Sequence, residues 1–171
     1  PINTDPNHPN YKTANKKFSE NIIEADSVDG FAMLINKKKF EKNNFFDEKF
    51  FLFLENDDLC KRTKILGNNI YVIKNAFIDH KGFSSSTKVD KEELEYLRNW
   101  HWMWSKFYFN KKHYGFFRAL VSIIPNFFSS ILKILIFTIL FNKKKRKIYQ
   151  FRFNGILNSI MGKTSWYRIK D

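Results

Sequence analysis

The sequence predicts an α/β chain with few strands, followed by a mainly helical C-terminal region. Three observations carry that expectation. Short apolar runs bounded by glycine or asparagine, "SVDGFAMLIN" at 27–36 and "NIYVIKNAFIDH" at 69–80, have the length of strands. The stretch from about Asn56 to Leu66 is acidic at its start, basic in its second half and followed by Gly67, which marks a short helix. Beyond residue 88 the pattern turns to long helical segments with no internal repeat.

Residues 1–19 hold three of the four prolines and are otherwise polar, so coil is expected there. Residues 27–36 are expected to form a buried strand containing Gly30, and "KKKFEKNNFF" to connect it onward. In the short helix, Asn56 or Asp57 can cap the start, and Arg62 and Lys64 suit the negative end. Residues 69–80 then give one or two strands about a turn at Asn75, and "HKGFSSS" at 80–86 reads as a loop. From Lys88 to about Lys112 a long helix is predicted, acidic first and basic last. Residues 115–141 are apolar, and 146–162 form a final helix. The organisation expected is therefore 1–27 coil, 28–87 a mixed unit, and 88–171 a helical region whose segment 115–147 associates with membrane.

The formal net charge of +13 asks for an anionic partner. Its densest cluster, "KKKRK" at 143–147, directly follows the most apolar stretch, 119–141. Grease beside a polybasic run reads as an anionic membrane surface sooner than as nucleic acid, which would rest on charge alone without a recognisable recognition motif. Residues 119–141 are about long enough to span a bilayer. However, Arg118, Ser122, Asn126, Ser129 and Lys133 recur on one helical side, and Pro125 is expected to bend or interrupt the helix. An amphipathic helix lying in the interface is favoured over a span and over an ordinary core helix. The single cysteine, Cys60, excludes an internal disulfide in this sequence and reads as a small buried apolar residue.

The stretch "FFDEKFFLFLENDDLCKR" at 45–62 runs bulky rings almost directly into an acidic knot of Glu55, Asn56, Asp57 and Asp58. Glu55 and Asp58 share a helical face, and Arg62, four residues after Asp58, can pair with it. Carboxylates there act as a helix cap, each contributing about 0.5 kcal/mol, or as a positioned general base. Spacing does not separate the two. Phe45, Phe46, Phe50, Phe51 and Phe53 are expected to bury beneath the knot and fix it, each ring contributing roughly 2 kcal/mol.

The order "VDGFAMLINKKKF", "FFDEKFFLFLENDDLCKRTKILGNNIYVI" and "AFIDHKGFSSS" resembles the second half of family 2 glycosyltransferases, particularly the rhamnosyltransferase-like bacterial members, over about residues 28–86. The closing "FRFNGILNSIMGK" is similar to the family's C-terminal helix. The resemblance implies a GT-A fold, of which this chain carries the C-terminal, acceptor-side half, and inverting transfer of a sugar from a nucleotide-sugar donor to an acceptor hydroxyl. In relatives the base lies in the acidic block ahead of "DLC-R". Many members are acidic where this chain has Asn56, and an amide does not usefully accept a proton. Asp58 or Glu55 is then the candidate base and Asp57 the reserve, while Arg62 orients a carboxylate.

Further roles follow from the same resemblance. His80 is the candidate metal ligand, helping an Asp-x-Asp motif hold Mg²⁺ or Mn²⁺ near the donor diphosphate; imidazole with carboxylates suits such an ion. Gly30 lets backbone approach the transferred sugar or simply relieves packing. Trp100 and Trp102, in "NWHWMWSKFYF" at 99–109, suit a sugar platform, a bilayer boundary or helix packing. The acceptor is expected to be lipid-linked or a surface polysaccharide, and the location the cytoplasmic face of a membrane, peripheral or monotopic, with a single span as the alternative.

No Val/Ile-rich strand followed by a helix precedes residue 28, and no Asp-x-Asp occurs. The nucleotide-binding half and the main metal ligands are thus expected outside this chain, which alone should transfer no sugar. The competing class is a non-enzymatic, membrane-associated interaction module in which the acidic block is only a cap.

Overall fold

A computed structural model of the chain describes residues 13–40, 45–78 and 90–169. It is mixed α/β and mostly helical, with four α-helices and one antiparallel sheet among the described residues. The chain divides into two compact units. The first comprises residues up to Asp47 together with Glu55–Ser84; the second comprises Glu48–Leu54 together with Ser85–Asp171.

In the first unit, β1 (Thr13–Ser19), β2 (Ile22–Ala25) and β3 (Ile70–Ile73) form a sheet in that order. The β2–β3 register is regular, from Ile22 opposite Ile73 to Ala25 opposite Ile70, whereas β1 meets β2 through two register shifts. Helix α1 (Glu55–Ile65) joins this sheet: Lys64 Nζ donates to Glu24 Oε1 at 2.6 Å. Ala25, Phe40, Leu59 and Cys60 are its buried apolar residues.

The sheet corrects two expectations. Residues 13–19 are a strand rather than coil. Residues 27–36 are not a strand at all; they run without regular structure into a 3₁₀ turn at Lys37–Phe40. An apolar run becomes a strand only where a neighbour accepts its backbone hydrogen bonds. The apolar side chains of this one are not drawn into a core either, Leu34 being 102% exposed and Phe31 45%. The short helix is present as expected, but it begins at Glu55, so Asn56 and Asp57 lie inside its first turn instead of capping it. Of the one or two strands expected at 69–80, β3 is present, followed by a turn at Lys74–Asn75.

The second unit is a three-helix assembly of α2 (Lys91–Tyr114), α3 (Phe116–Ile139) and α4 (Lys143–Ile160). Asp90 caps α2, its Oδ1 accepting from the Glu92 amide at 3.1 Å, and Asn142 caps α4 by accepting from Lys145 at 3.0 Å. The final helix therefore starts three residues before the expected 146, with its lysines in its first turn. Met103, Phe107, Ala119, Ile123 and Ile156 form the core. Helices α2 and α4 approach closely at Gly155, where an added Cβ would lie 2.3 Å from the Trp100 carbonyl oxygen. Pro125 does not interrupt α3, which runs through it. Pro removes one backbone donor, and here the helix is packed along α2 and α4, which outweighs that loss.

The aromatic run divides between the units. Phe45 packs edge-on against Phe40 and Phe46 in the first. Phe50, Phe51 and Phe53 instead pack on α2, against Tyr108, His101 and Trp102, and Ser105 Oγ fastens this segment by donating to the Leu52 carbonyl at 2.8 Å. The ring partners of these three are on α2, Arg168 lies 3.4 Å over the Phe51 ring, and Phe46 and Phe51 are 37% and 44% exposed, so the expected burial of all five rings at one seat is corrected.

Helix α3 is long and apolar enough to cross a membrane, by length and composition. Its outward side is apolar: Phe117, Val121, Phe128, Leu132, Leu135 and Ile139 are 57–82% exposed. Among the residues expected to form its polar side, Asn126 accepts from Lys106 Nζ of α2 at 2.8 Å, and Lys133 Nζ sits 4.8 Å from the Tyr149 ring centre of α4.

Candidate functional site

The acidic knot is built from the first turn of α1 and the irregular segment before it. Helix α1 presents Glu55, Asp57 and Asp58 at its positive end, which favours carboxylates. The two residues immediately before it, Phe53 and Leu54, both take left-handed backbone angles, φ 69° and 65°. Such angles are strained for residues with a Cβ.

Each acid has a different environment. Asp58 is fully buried and accepts from Arg62 Nε at 2.8 Å, while Arg62 Nη2 donates to the Phe45 carbonyl at 2.7 Å. Arg62 thus pairs with Asp58, as the spacing allowed, and ties it to the Phe45 backbone. Asp57 accepts from Ser27 Oγ at 2.8 Å. Glu55 differs from both: its Oε2 is buried and has no hydrogen-bond partner. Burial pushes the Glu55 carboxyl above its ordinary value, a hydrogen bond from its own backbone amide opposes that, and the nearby charges of Asp57 and Asp29 raise it further. Asp57 is likewise raised by burial and by Asp29, against the lowering effect of its Ser27 hydrogen bond. Chemically, this is a cluster in which one buried carboxylate oxygen is left uncommitted and is made more basic.

Gly30 lies against this turn. A Cβ there would fall 2.1 Å from Asn56 Oδ1, so the glycine lets the irregular segment touch the first turn of α1. Ser27 and Asp29, which shape the knot's electrostatics, were not singled out by the sequence; their one signal was their place just ahead of Gly30. Cys60 is buried, and burial pushes its thiol up, as suits an inert packing residue.

His80 and the "HKGFSSS" loop lie outside the described residues. Among the described residues, no group of three or more His, Cys, Asp and Glu is placed to hold a metal ion. The donors among the described residues do not by themselves fit a Mg²⁺ or Mn²⁺ centre.

Trp100 and Trp102 belong to the packing of the second unit. Trp100 is 1% exposed and contacts Trp166 and Tyr167, so neither of its faces is open; Trp102 is half-buried against Phe53. A cleft of about 480 Å³ lies elsewhere in this unit, where half-buried Tyr108, stacked at 5.0 Å on the buried Trp104, is bordered by Lys49, Lys163, Arg168 and Glu48. Its excess of cations over acids can hold an anionic group beside a ring.

Comparisons with protein-family models, with curated proteins and with solved structures find no match to this chain.

Proposed function

We propose that this chain is the acceptor-side half of an inverting glycosyltransferase of GT-A type, moving a sugar from a nucleotide-sugar donor to an acceptor hydroxyl. The observation carrying the reading is the uncommitted, buried Oε2 of Glu55, whose carboxyl is raised above its usual range. General-base catalysis needs a carboxylate that is held still, partly desolvated and not already neutralised by a cation. Asp58 has its guanidinium partner and Asp57 its hydroxyl, so Glu55 takes the base's role and Asp58 with Arg62 the positioning one. In the reaction, the acceptor hydroxyl gives its proton to Glu55 as its oxygen bonds to the anomeric carbon, and the nucleotide diphosphate leaves with the electron pair of the broken bond. A divalent metal would be held chiefly by residues outside this half, with His80 as this chain's contribution.

The enzyme acts on a lipid-linked or surface-polysaccharide acceptor at the cytoplasmic face of a membrane, where α3 and the lysine-rich start of α4 meet an anionic surface; nucleic acid is not its partner. The second reading, a non-enzymatic membrane-associated module, is favoured by the position of all three acids in the first turn of α1, where a cap would also place them. Glu55→Gln and Asp58→Asn, made in the chain joined to a nucleotide-binding half, separate the two. Loss of sugar transfer by roughly 10²–10⁴-fold in Glu55→Gln, with unchanged circular dichroism, supports the enzyme. Full turnover in that variant, or transfer from a UDP- or dTDP-sugar by this chain alone, defeats it.

A further inference from the structure

The outward side of α3 carries a run of exposed apolar residues that the packing of the second unit leaves uncovered. Phe117, Val121, Phe128, Leu132, Leu135 and Ile139 succeed one another at intervals of three, four or seven and are 57–82% exposed. They therefore form one continuous stripe along the helix. It ends at Leu140 and Phe141, 63% and 90% exposed, where Phe141 turns the chain with φ 51° into the lysines that open α4. An apolar surface of this extent must be covered by something apolar. The adjoining Lys143, Lys145 and Arg146 complement an anionic one, while Lys144 lies 3.6 Å from both Glu92 and Glu95 of α2.

Two arrangements would cover the stripe with lipid: α3 crossing the bilayer, or α3 lying flat in one leaflet. What lies behind the stripe decides between them. Helix α3 is packed against both α2 and α4, so a crossing would carry those helices in with it. Asn126, near the middle of α3, accepts from Lys106 of α2, and Arg152 of α4 is close enough to Lys106 to lower its pKa after burial has done so. The Arg152 Nε is itself buried without a hydrogen-bond partner, the guanidinium lying 5.7 Å from the Tyr149 ring centre. A crossing would hold these two cations at the level of the bilayer centre, where charge is most costly. With α3 flat, the stripe faces acyl chains and Lys106 and Arg152 stay on the protein side.

We propose that α3 is an in-plane membrane anchor: its stripe lies in the headgroup–acyl boundary of an anionic leaflet, and the Lys143–Arg146 turn engages the headgroups. This deepens the membrane-surface part of the function proposed above and rests on it, but it needs no sugar donor, so each can fail without the other.

The test uses vesicles of phosphatidylglycerol and phosphatidylcholine with the full chain. In a Cys60→Ala background, single cysteines at Phe117→Cys, Phe128→Cys and Ile139→Cys carry an environment-sensitive fluorophore, and lipids with quenchers at known depths locate each one. An in-plane helix gives three equal, shallow depths, and the combined Phe117→Ser, Phe128→Ser and Leu135→Ser variant weakens vesicle binding at least tenfold. A Phe128 label clearly deeper than the other two means a span and overturns the proposal. So does unchanged vesicle binding by the triple serine variant, or a stable dimer that those serines dissociate. Should the triple variant unfold by circular dichroism, the depth profile decides alone, because each label replaces a side chain already facing outward.

Discussion

Acidification should loosen the helical unit through one residue, His101. Its ring is fully buried, Nε2 donates to the Tyr167 carbonyl at 2.8 Å, and Nδ1 has no partner. Burial, with the Arg168 charge nearby, lowers its pKa from 6.5 to about 4 despite the opposing hydrogen bond. The folded state thus keeps the ring neutral where the unfolded state has already bound a proton. Between pH 6.5 and 4 the unfolded chain holds more protons, so stability falls as pH falls through that window. A depression of this size corresponds to about 3 kcal/mol between pH 7 and 4, of which about 2 kcal/mol is lost by pH 5. Glu55 and Asp57, raised in the folded state, act in the opposite sense, so the total slope is smaller than the His101 share. His101→Gln isolates that share, since an amide keeps a donor for Tyr167 and does not titrate. All four tryptophans belong to the second unit, so urea unfolding followed by tryptophan fluorescence reads that unit alone. Between pH 7 and 5 the native chain should lose about 2 kcal/mol more than His101→Gln. Equal losses in the two proteins refute the reasoning.

Removing the guanidinium from the Asp58 pair, by Arg62→Met, should destabilise the first unit by about 3–5 kcal/mol, because it strips a fully buried carboxylate of the charge held 2.8 Å away. Thermal unfolding followed by far-ultraviolet circular dichroism measures it, and a loss under 1 kcal/mol contradicts the pairing's role. Gly155→Ala should cost about 1–3 kcal/mol in the urea experiment, since its methyl would meet backbone rather than a flexible side chain and must push α2 and α4 apart. A neutral alanine would mean that the two helices are not in that contact.

The helical elements were legible because their signals are local. Acidic starts, basic ends and Gly67 foretold α1 and α2, and sustained apolarity foretold α3. The sheet was not, because pairing is decided by residues far apart in sequence. "FAMLIN" has strand-like composition and remains unpaired, while the plain "TANKKFS" is a strand through its contact with β2. The site was half legible. Spacing gave the Asp58–Arg62 pair directly. It could not rank Glu55 above Asp58, because that ranking depends on which carboxylate oxygen is buried without a partner, a property of folded surroundings. The aromatic run misled for a related reason: composition marks rings that favour burial, not which of them stay exposed, as Phe46 and Phe51 do, nor the helix on which Phe50 and Phe53 pack.

The claim on which the functional account turns is that Glu55 carries a desolvated carboxylate with one oxygen, Oε2, uncommitted. Carboxyl-carbon NMR of Glu55, titrated in the folded chain and assigned with Glu55→Gln, tests it directly. The account predicts a midpoint above 4.5, in keeping with burial and the acids beside it. A midpoint at or below 4.5 would mean that the group is solvated or paired, and would contradict it.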